Sequence, residues 1–287
     1  LEHHEKNGAD ISIATIPVSA RDATEYGIMK TNSSGFIDAF VEKPNAEILP
    51  QWTSEVGDEM KKEGRLYLAS MGIYIFNRKL LRDLLTEKKD ATDFGKEIIP
   101  QAVGIFKLLS YKYDLYWNDI VNIRSFYEAN ISLTDEVPLF NLFDNQRYIY
   151  THPRNLPPAK ISGTTIVASI IAEGCIIHAA RIERSVIGIR SRIGKGAIIK
   201  NSYIMGNDNF QTIQSIAEMV GKKIPIMGIG DRCLIDNTII DKNCFIGNDV
   251  IIKGGSHLPD ADTDILTVKD GIVVIKKGAV IPDGFTL

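Results

Sequence analysis

A strand-like segment ends in the tripeptide Glu42-Lys43-Pro44, which places an acid and a base side by side. Alternation along a strand would point these two side chains to opposite faces. Proline disfavours helical geometry in the residue before it, so we expect Lys43 at a strand end, where ligands bind in α/β sheets. A lysine ammonium there is a suitable point charge for a phosphate. A solvated surface pair is the commoner explanation of such a tripeptide on its own.

The segment 70–74 places a hydroxyl, a small residue and a phenol on an otherwise apolar strand. With the period of two of a β-strand, Ser70, Gly72 and Tyr74 share one face, which could accommodate a sugar. Equally, Tyr74 could be a packed aromatic residue with its hydroxyl at the rim, and the segment alone slightly favours this interpretation.

Two further carboxylates stand beside aromatic residues. Asp93 precedes Phe94-Gly95-Lys96 and a helical pattern, so it is first interpreted as a helix N-cap. Asp119 follows a Tyr-Trp-Asn segment and could bind a metal ion, although an isolated carboxylate is usually a turn or cap residue.

Around these motifs the hydrophobic pattern alternates between strands and helices. The predicted strands cover residues 11–16, ending before Pro17, then 27–31 and 36–42, joined by a turn at 32–35, and 67–76. The predicted helices cover residues 79–85, 93–103 and 125–133. This mixture predicts an α/β domain over residues 1–135. Scattered prolines then indicate a linker over residues 136–160.

Beyond the linker, isoleucines recur at spacings of six, six and five residues, which predicts a parallel β-helix over residues 161–287. They are Ile170, Ile176, Ile182, Ile187, Ile193, Ile199 and Ile204, then Ile229, Ile235, Ile240, Ile246 and Ile252. Glycines are expected at the corners, at Gly174, Gly188, Gly194, Gly230 and Gly247. Antiparallel hairpins are the alternative. Two insertions interrupt the pattern, one at 206–225 with a helix over 212–220, and one at 253–266 with Asp260, Asp262 and Asp264.

The composition bears on the binding partners and on the cellular location of the protein. A net charge of -3 over 287 residues gives no electrostatic case for nucleic acid or an anionic membrane surface. No apolar segment approaches the length of a transmembrane helix, and no leader sequence opens the chain. The three cysteines lie in apolar stretches and lack the spacing of metal ligands. We therefore expect them to act as small hydrophobic residues in a reducing cytoplasm.

Taken together and in order, the motifs resemble the ADP-glucose pyrophosphorylase family, also called glucose-1-phosphate adenylyltransferase. The matching segments are Tyr26-Gly27-Ile28-Met29, Phe40-Val41-Glu42-Lys43-Pro44, Ala69 to Tyr74, Asp93-Phe94-Gly95, Tyr116-Trp117-Asn118-Asp119, Asn155-Leu156-Pro157-Pro158 and Ser185 to Ser191. The resemblance covers essentially the whole chain. It implies a partial Rossmann-like nucleotidyltransferase domain with a mixed sheet, followed by a left-handed parallel β-helix, in a cytoplasmic homo-oligomer such as a tetramer.

The resemblance also implies the reaction, in which AMP passes from ATP to glucose 1-phosphate to give ADP-glucose, for glycogen or starch, and pyrophosphate. By residue, Lys43 would hold the sugar phosphate and Asp119 would help to bind Mg²⁺. The residues implied around the glucose are Gly27, Glu42, Ser70, Tyr74, Asp93, Phe94 and Trp117. The basic residues implied in binding phosphorylated effectors are Arg154, Lys269 and Lys277, for which solvated surface charge is an equal alternative.

The chain departs from the family in two ways. The family's Gly-rich ATP loop lies in the first part of the full protein, and nothing here resembles it, so we expect a fragment that is inactive alone. The family's Asp is followed by a hydrophobic residue, Gly and Thr, whereas Asp119 precedes Ile120, Val121 and Asn122. The β-branched Val121 in place of Gly restricts the backbone just after the proposed metal ligand Asp119. This difference raises the alternative that the chain is a mainly regulatory subunit.

Three other functions are compatible with the sequence. One is a different sugar-phosphate nucleotidyltransferase. Another is an acyltransferase that uses His178, the histidine within the regular coils. A third is an oligomerisation and effector-binding module, because exposed coil edges commonly support subunit contacts.

Overall fold

The structure is a computed structural model that describes residues 1–146 and 148–287. Contacts divide the chain into two compact units, Leu1–Leu115 and Tyr116–Leu287. The domain limit expected at residue 135 therefore lies inside the second unit. Within the described residues, no helix has both the length and the apolar character needed to cross a membrane.

The first unit is built on a mixed five-stranded sheet with the order β3-β2-β4-β1-β5. Its strands are β1 (Ile11–Val18), β2 (Gly27–Thr31), β3 (Ile37–Glu42), β4 (Tyr67–Phe76) and β5 (Leu108–Lys112). Its helices are α1 (Glu2–Lys6), α2 (Ala20–Ala23), α3 (Asp58–Lys62), α4 (Arg78–Glu87) and α5 (Ile99–Ala102). A 3-10 turn covers Leu49–Trp52 and a π-helical turn covers Phe94–Ile98.

Strand β1 is the centre of this sheet. It pairs antiparallel with β4 and parallel with β5, and nearly all of its residues are buried. A strand covered on both faces has a continuous apolar pattern, which explains its Ile-rich sequence. The predicted end before Pro17 was too early, because β1 continues to Val18. Pairing with β5 stops at Thr15, so Pro17 lies beyond the part of β1 that has neighbours on both sides.

The turn between β2 and β3 forms where the sequence predicted it. The side-chain oxygen of Asn32 accepts hydrogen bonds from the backbone N–H groups of Ser34 and Phe36, at 3.0 and 3.1 Å. Gly35 follows at φ +83°, a conformation that glycine adopts without strain. The hairpin thereby brings Glu42 opposite Gly27.

The second unit is a parallel β-helix of three sheets, as the isoleucine repeat predicts. The first sheet contains β6 (Lys160–Ile161), β9 (Ile176–Ile177), β12 (Arg192–Ile193), β15 (Gly228–Ile229), β18 (Phe245–Ile246) and β23 (Val280–Ile281). The second contains β7 (Thr165–Val167), β10 (Arg181–Glu183), β13 (Ile198–Lys200), β16 (Leu234–Asp236) and β19 (Ile251–Lys253). The third contains β8 (Ile170–Ile171), β11 (Val186–Ile187), β14 (Tyr203–Ile204), β17 (Thr238–Ile240), β20 (Ala261–Asp262), β21 (Leu266–Lys269) and β22 (Ile272–Ile275).

Most of the predicted isoleucines point into the coil, where they form one core with the three cysteines. The first coil differs by one position, because Ile177 is fully buried and Ile176 only half-buried. The neighbouring Ile171 packs on the same core. Close stacking requires four of the five corner glycines, and a Cβ on Gly188, for example, would lie 2.4 Å from the carbonyl oxygen of Met205. Gly174 differs, because it has a φ of +73° and more space.

The cysteines behave as small hydrophobic residues. All three are free and buried. Burial raises the pKa of the Cys233 and Cys244 thiols to about 11, so both stay protonated at neutral pH.

Two helices flank the coils. Helix α6 (Ile123–Ser132) packs through Tyr127 and Ile131 onto Ile239 and Ile272 of the β-helix. The Tyr127 hydroxyl also donates a hydrogen bond to the carbonyl oxygen of Asn201, at 2.5 Å. Helix α7 (Ile213–Gly221) begins after an N-cap threonine in the first insertion, close to its predicted position. The second insertion returns as the antiparallel pair β20–β21.

We expect Ile199→Ala to lower the free energy of unfolding of the β-helix by about 3 kcal/mol, because Ile199 is fully buried and the cavity cannot close. Chemical denaturation followed by circular dichroism measures this loss. Ile198→Ala on the same strand, where the side chain is half-buried, should cost clearly less. Equal losses for the two variants would contradict the inward orientation of Ile199.

Candidate functional site

The first unit brings several of the predicted site residues together around the carboxylate of Glu42. Glu42 ends β3 opposite Gly27, the first residue of β2. A Cβ on Gly27 would lie 2.4 Å from the Phe40 ring and 2.7 Å from Glu42 Oε2. The absence of a side chain at Gly27 therefore leaves room for both groups.

A second glycine borders the same carboxylate. A Cβ on Gly95 would lie 3.0 Å from Glu42 Oε2 and 3.4 Å from Asp93 Oδ1. The π-helical turn that contains Gly95 thus approaches the end of β3 closely. Glu42 and Asp93 consequently face a common space.

Ser70 and Tyr74 are brought together by an irregularity in β4. The register of β1 and β4 shifts between Ile13, which pairs with Tyr74, and Thr15, which pairs with Ser70. Gly72 between them has φ +70°. The Ser70 and Tyr74 hydroxyl oxygens lie 3.5 Å apart, and the Gly72 N–H donates to Ser70 Oγ at 3.3 Å. A bulge, rather than simple alternation, therefore places these side chains side by side.

An aromatic wall continues from Tyr74. The Phe94 ring lies 5.8 Å from the Tyr74 ring and 5.5 Å from the Phe76 ring, measured between centroids. Both contacts are tilted, as is usual for aromatic pairs. Phe94 thus joins the π-helical turn to the face of β4 that carries Tyr74.

The charges of this region influence one another. Burial and the Asp93 carboxylate raise the pKa of Glu42, while Lys43 and Lys96 act in the opposite direction. Burial, together with Glu42 and Asp93, raises the pKa of Tyr74, against the hydrogen bond from Ser70. This cluster therefore combines a partly desolvated carboxylate with a neutral phenol, and the two groups can accept hydrogen bonds from hydroxyl groups and donate them to hydroxyl groups.

Lys43 has an unusual backbone. Its φ is +47°, in the left-handed region, whereas the residue before a proline is usually extended. Its N–H donates to the carbonyl oxygen of Tyr26 at 3.0 Å, which fixes this conformation. The Lys43 side chain is exposed, and its charge acts on the neighbouring Glu42 carboxylate. Strained non-glycine residues of this kind cluster at functional sites.

Trp117 and Asp119 belong to the second unit, and both are half-buried. Asn122 caps α6: its side chain accepts from Ser125 N at 2.8 Å, and Ser125 Oγ accepts from Asn122 N at 3.3 Å. Val121 has no left-handed φ, so a β-branched residue fits the backbone there. Among the described residues, no group of three or more His, Cys, Asp or Glu side chains could hold a metal ion.

The basic residues considered for effectors have different surroundings. Arg154 is exposed and donates to the carbonyl oxygen of His152 at 3.3 Å. Lys269 forms an ion pair with Asp260 at 2.5 Å. Lys277 lies 3.7 Å from Asp208. His178, the residue on which the acyltransferase alternative depends, is exposed on the coil.

The sequence did not identify several residues that shape these regions. Phe40 and Gly95 border Glu42, and Glu97 binds the backbone before Asp93. The role of Glu97 could have been predicted from its position four residues after the N-cap residue Asp93, because an acidic side chain near that position can bind the backbone of the cap. Asp208 and Lys242 could not be paired from the sequence, because they lie 34 residues apart on stacked coils.

The Asp208 carboxylate is a centre of charge on the β-helix. Lys242 Nζ donates to it at 2.7 Å and Asn243 Nδ2 at 2.9 Å. The hydrogen bonds of Lys242 and then Asn243 lower the pKa of Asp208 to about 2. A depressed carboxyl pKa contributes stability above the unfolded pKa, and this contribution is lost as the pH falls through about 2.

We expect Lys242→Ala to return the pKa of Asp208 towards its ordinary value, because the largest cause of the depression is removed. A carboxyl-carbon NMR titration of both proteins measures the change. Lys276→Ala is the control, since Lys276 pairs with Asp262 at 2.8 Å instead. An unchanged Asp208 titration in Lys242→Ala would contradict the pairing.

Two family models match this chain. Residues 1–136 match the nucleotidyl transferase model, and residues 154–286 match the model of the GLGC left-handed parallel beta-helix domain. The matches follow the order of the predicted domains and confirm the predicted fold and the resemblance. The chain therefore contains a nucleotidyl transferase domain followed by a GLGC left-handed parallel β-helix domain, an arrangement consistent with a glucose-1-phosphate adenylyltransferase-type protein.

Proposed function

We propose that the protein is a glucose-1-phosphate adenylyltransferase, which makes ADP-glucose and pyrophosphate from ATP and glucose 1-phosphate for glycogen or starch synthesis. The observation that carries this proposal is the arrangement at the end of β3. Lys43 is exposed in a strained backbone conformation, next to a cluster that contains Glu42, Asp93, Ser70 and Tyr74. A cation beside hydrogen-bonding groups suits a sugar that carries a phosphate.

Each group has a distinct part in binding. The Lys43 ammonium would pair with the phosphate of glucose 1-phosphate, as a flexible point charge. The carboxylates of Glu42 and Asp93 would accept hydrogen bonds from sugar hydroxyls, and the hydroxyls of Ser70 and Tyr74 could donate or accept. Phe94 offers an apolar face to the ring. Gly27 leaves the space that the Glu42 carboxylate needs.

The chemistry is an in-line displacement. An oxygen of the sugar phosphate attacks the α-phosphorus of ATP, a new P–O bond forms, and the bond to the β-phosphate breaks to release pyrophosphate. Positioning and charge neutralisation supply most of the catalysis in such transfers. Lys43 would hold the attacking phosphate in place and reduce its charge repulsion with ATP.

Asp119 is the residue proposed for Mg²⁺. In phosphoryl-transfer sites this ion is usually held by one or two carboxylates together with substrate phosphates, so a single half-buried carboxylate fits it. When bound, the ion neutralises charge on the reacting phosphates. Trp117, two residues earlier, is proposed as a sugar-binding residue from the family resemblance alone.

Regulation by phosphorylated metabolites is a further part of the proposal, with Arg154, Lys269 and Lys277 as anion-binding residues. Lys277 has the strongest support, because Asp208 holds it and Lys242 in one basic cluster. Several cations at one place are what a multiply charged phosphate requires. A homo-oligomer, such as a tetramer, and a cytoplasmic location are proposed from the family resemblance alone.

The test is an assay of the complete gene product for ADP-glucose formation with ATP, glucose 1-phosphate and Mg²⁺. We expect Lys43→Ala to raise the KM for glucose 1-phosphate by roughly ten- to a hundredfold, because one charge-assisted contact to the phosphate is lost. The KM for ATP should change little.

Lys61→Ala, which removes an exposed lysine on α3, is the matched control and should behave as the wild type. Turnover only with another nucleoside triphosphate or sugar phosphate would identify a related nucleotidyltransferase. No turnover with any of them would contradict the proposed activity and favour a regulatory subunit.

A further inference from the structure

Glu97 binds the backbone just before the π-helical turn. Its Oε2 atom accepts hydrogen bonds from the N–H of Thr92 at 2.7 Å and the N–H of Asp93 at 2.9 Å. The Thr92 hydroxyl lies 3.4 Å from the same oxygen. One carboxylate oxygen therefore gathers two consecutive backbone donors and one side-chain donor.

The contact is reciprocal. Asp93 Oδ1 accepts from the N–H of Lys96 at 3.1 Å, and the Asp93 carbonyl oxygen accepts from the N–H of Glu97 at 3.1 Å. This resembles a capping box, with the acidic residue four positions after the cap instead of three. The wider π-helical turn at Phe94–Ile98 accounts for the extra residue.

The segment that Glu97 holds carries two groups of the candidate site, Asp93 and Phe94. Asp93 Oδ1 lies near Gly95 and shares its space with Glu42. The next residue, Phe94, contacts the rings of Tyr74 and Phe76. A shift of the Thr92–Asp93 backbone would therefore move the carboxylate and the ring together.

The charge state of Glu97 suits this role. The hydrogen bonds from Thr92 and then Asp93 lower the pKa of Glu97. The side chain is consequently a carboxylate at neutral pH, and charge-assisted bonds to backbone N–H groups are the stronger kind.

We infer that Glu97 is a positioning residue, which sets Asp93 and Phe94 for the sugar of glucose 1-phosphate by holding the Thr92–Asp93 backbone. This role rests on the proposed function. In this role, Glu97 does not contact the substrate. Its loss should therefore weaken sugar-phosphate binding while the chemistry and the ATP site are kept.

In the complete gene product, we expect Glu97→Ala to raise the KM for glucose 1-phosphate about tenfold, since small displacements of positioning groups are costly. The kcat and the KM for ATP should stay within about twofold of the wild type, because these groups do not contact ATP. Glu97→Gln keeps an oxygen acceptor at the same place and should recover most of the lost affinity. Hydrogen exchange should be faster at the Thr92 and Asp93 amides in Glu97→Ala.

Glu87→Ala is the matched control, because it removes an exposed glutamate at the end of α4. If Glu97→Ala shows the kinetics of Glu87→Ala in an active enzyme, the positioning role is overturned and the proposed function stands. If the wild type forms no ADP-glucose, the proposed function and the role in sugar binding both fall. Unchanged amide exchange in Glu97→Ala would overturn the backbone contact itself, whatever the activity.

Discussion

The space left by two glycines is the constraint on which the candidate site depends. Gly27 and Gly95 come from different parts of the first unit, and a Cβ on either would approach Glu42 Oε2 to 3.0 Å or less. The carboxylate can therefore occupy its position only because both neighbours lack a side chain. The hairpin β2–β3 supplies one glycine and the π-helical turn supplies the other, so the sheet and the turn must meet there.

Near these two glycines, acidic and basic side chains of the first unit differ in how far they are buried. Glu42 is partly buried, and the Asp93 carboxylate faces the same space, whereas Lys43 and Lys96 are exposed at the edge. In the proposed function, the acidic hydrogen-bond acceptors would receive hydroxyl groups and the bordering lysines would receive a phosphate. The left-handed backbone of Lys43 is the local strain that accompanies this placement.

The sequence predicted the larger features better than the local ones. The isoleucine repeat located the β-helix, because one inward position per short strand must be apolar. It misplaced the inward residue of the first coil, where adjacent isoleucines at 176 and 177 made the register ambiguous. Alternation put Ser70 and Tyr74 on one face, but the bulge at Gly72 is what joins them, because β4 has two more residues than β1 between the flanking pairs. The contact of Glu97 with backbone N–H groups depends on the width of a turn, which no side-chain pattern records.

The β-helix stacks its coils through short parallel strands, so each coil contacts mainly the coils before and after it. The segment that carries α7 leaves the coil after β14 and returns at β15, and β12 still pairs with β15 across the gap. The hydrophobic core of the β-helix thus remains continuous although the chain leaves the coil between β14 and β15. In such a scaffold, substitutions of the inward isoleucines are restricted, because each one packs against the coils before and after it. The inserted segments can lengthen, shorten or acquire new surfaces without altering the register of the coils.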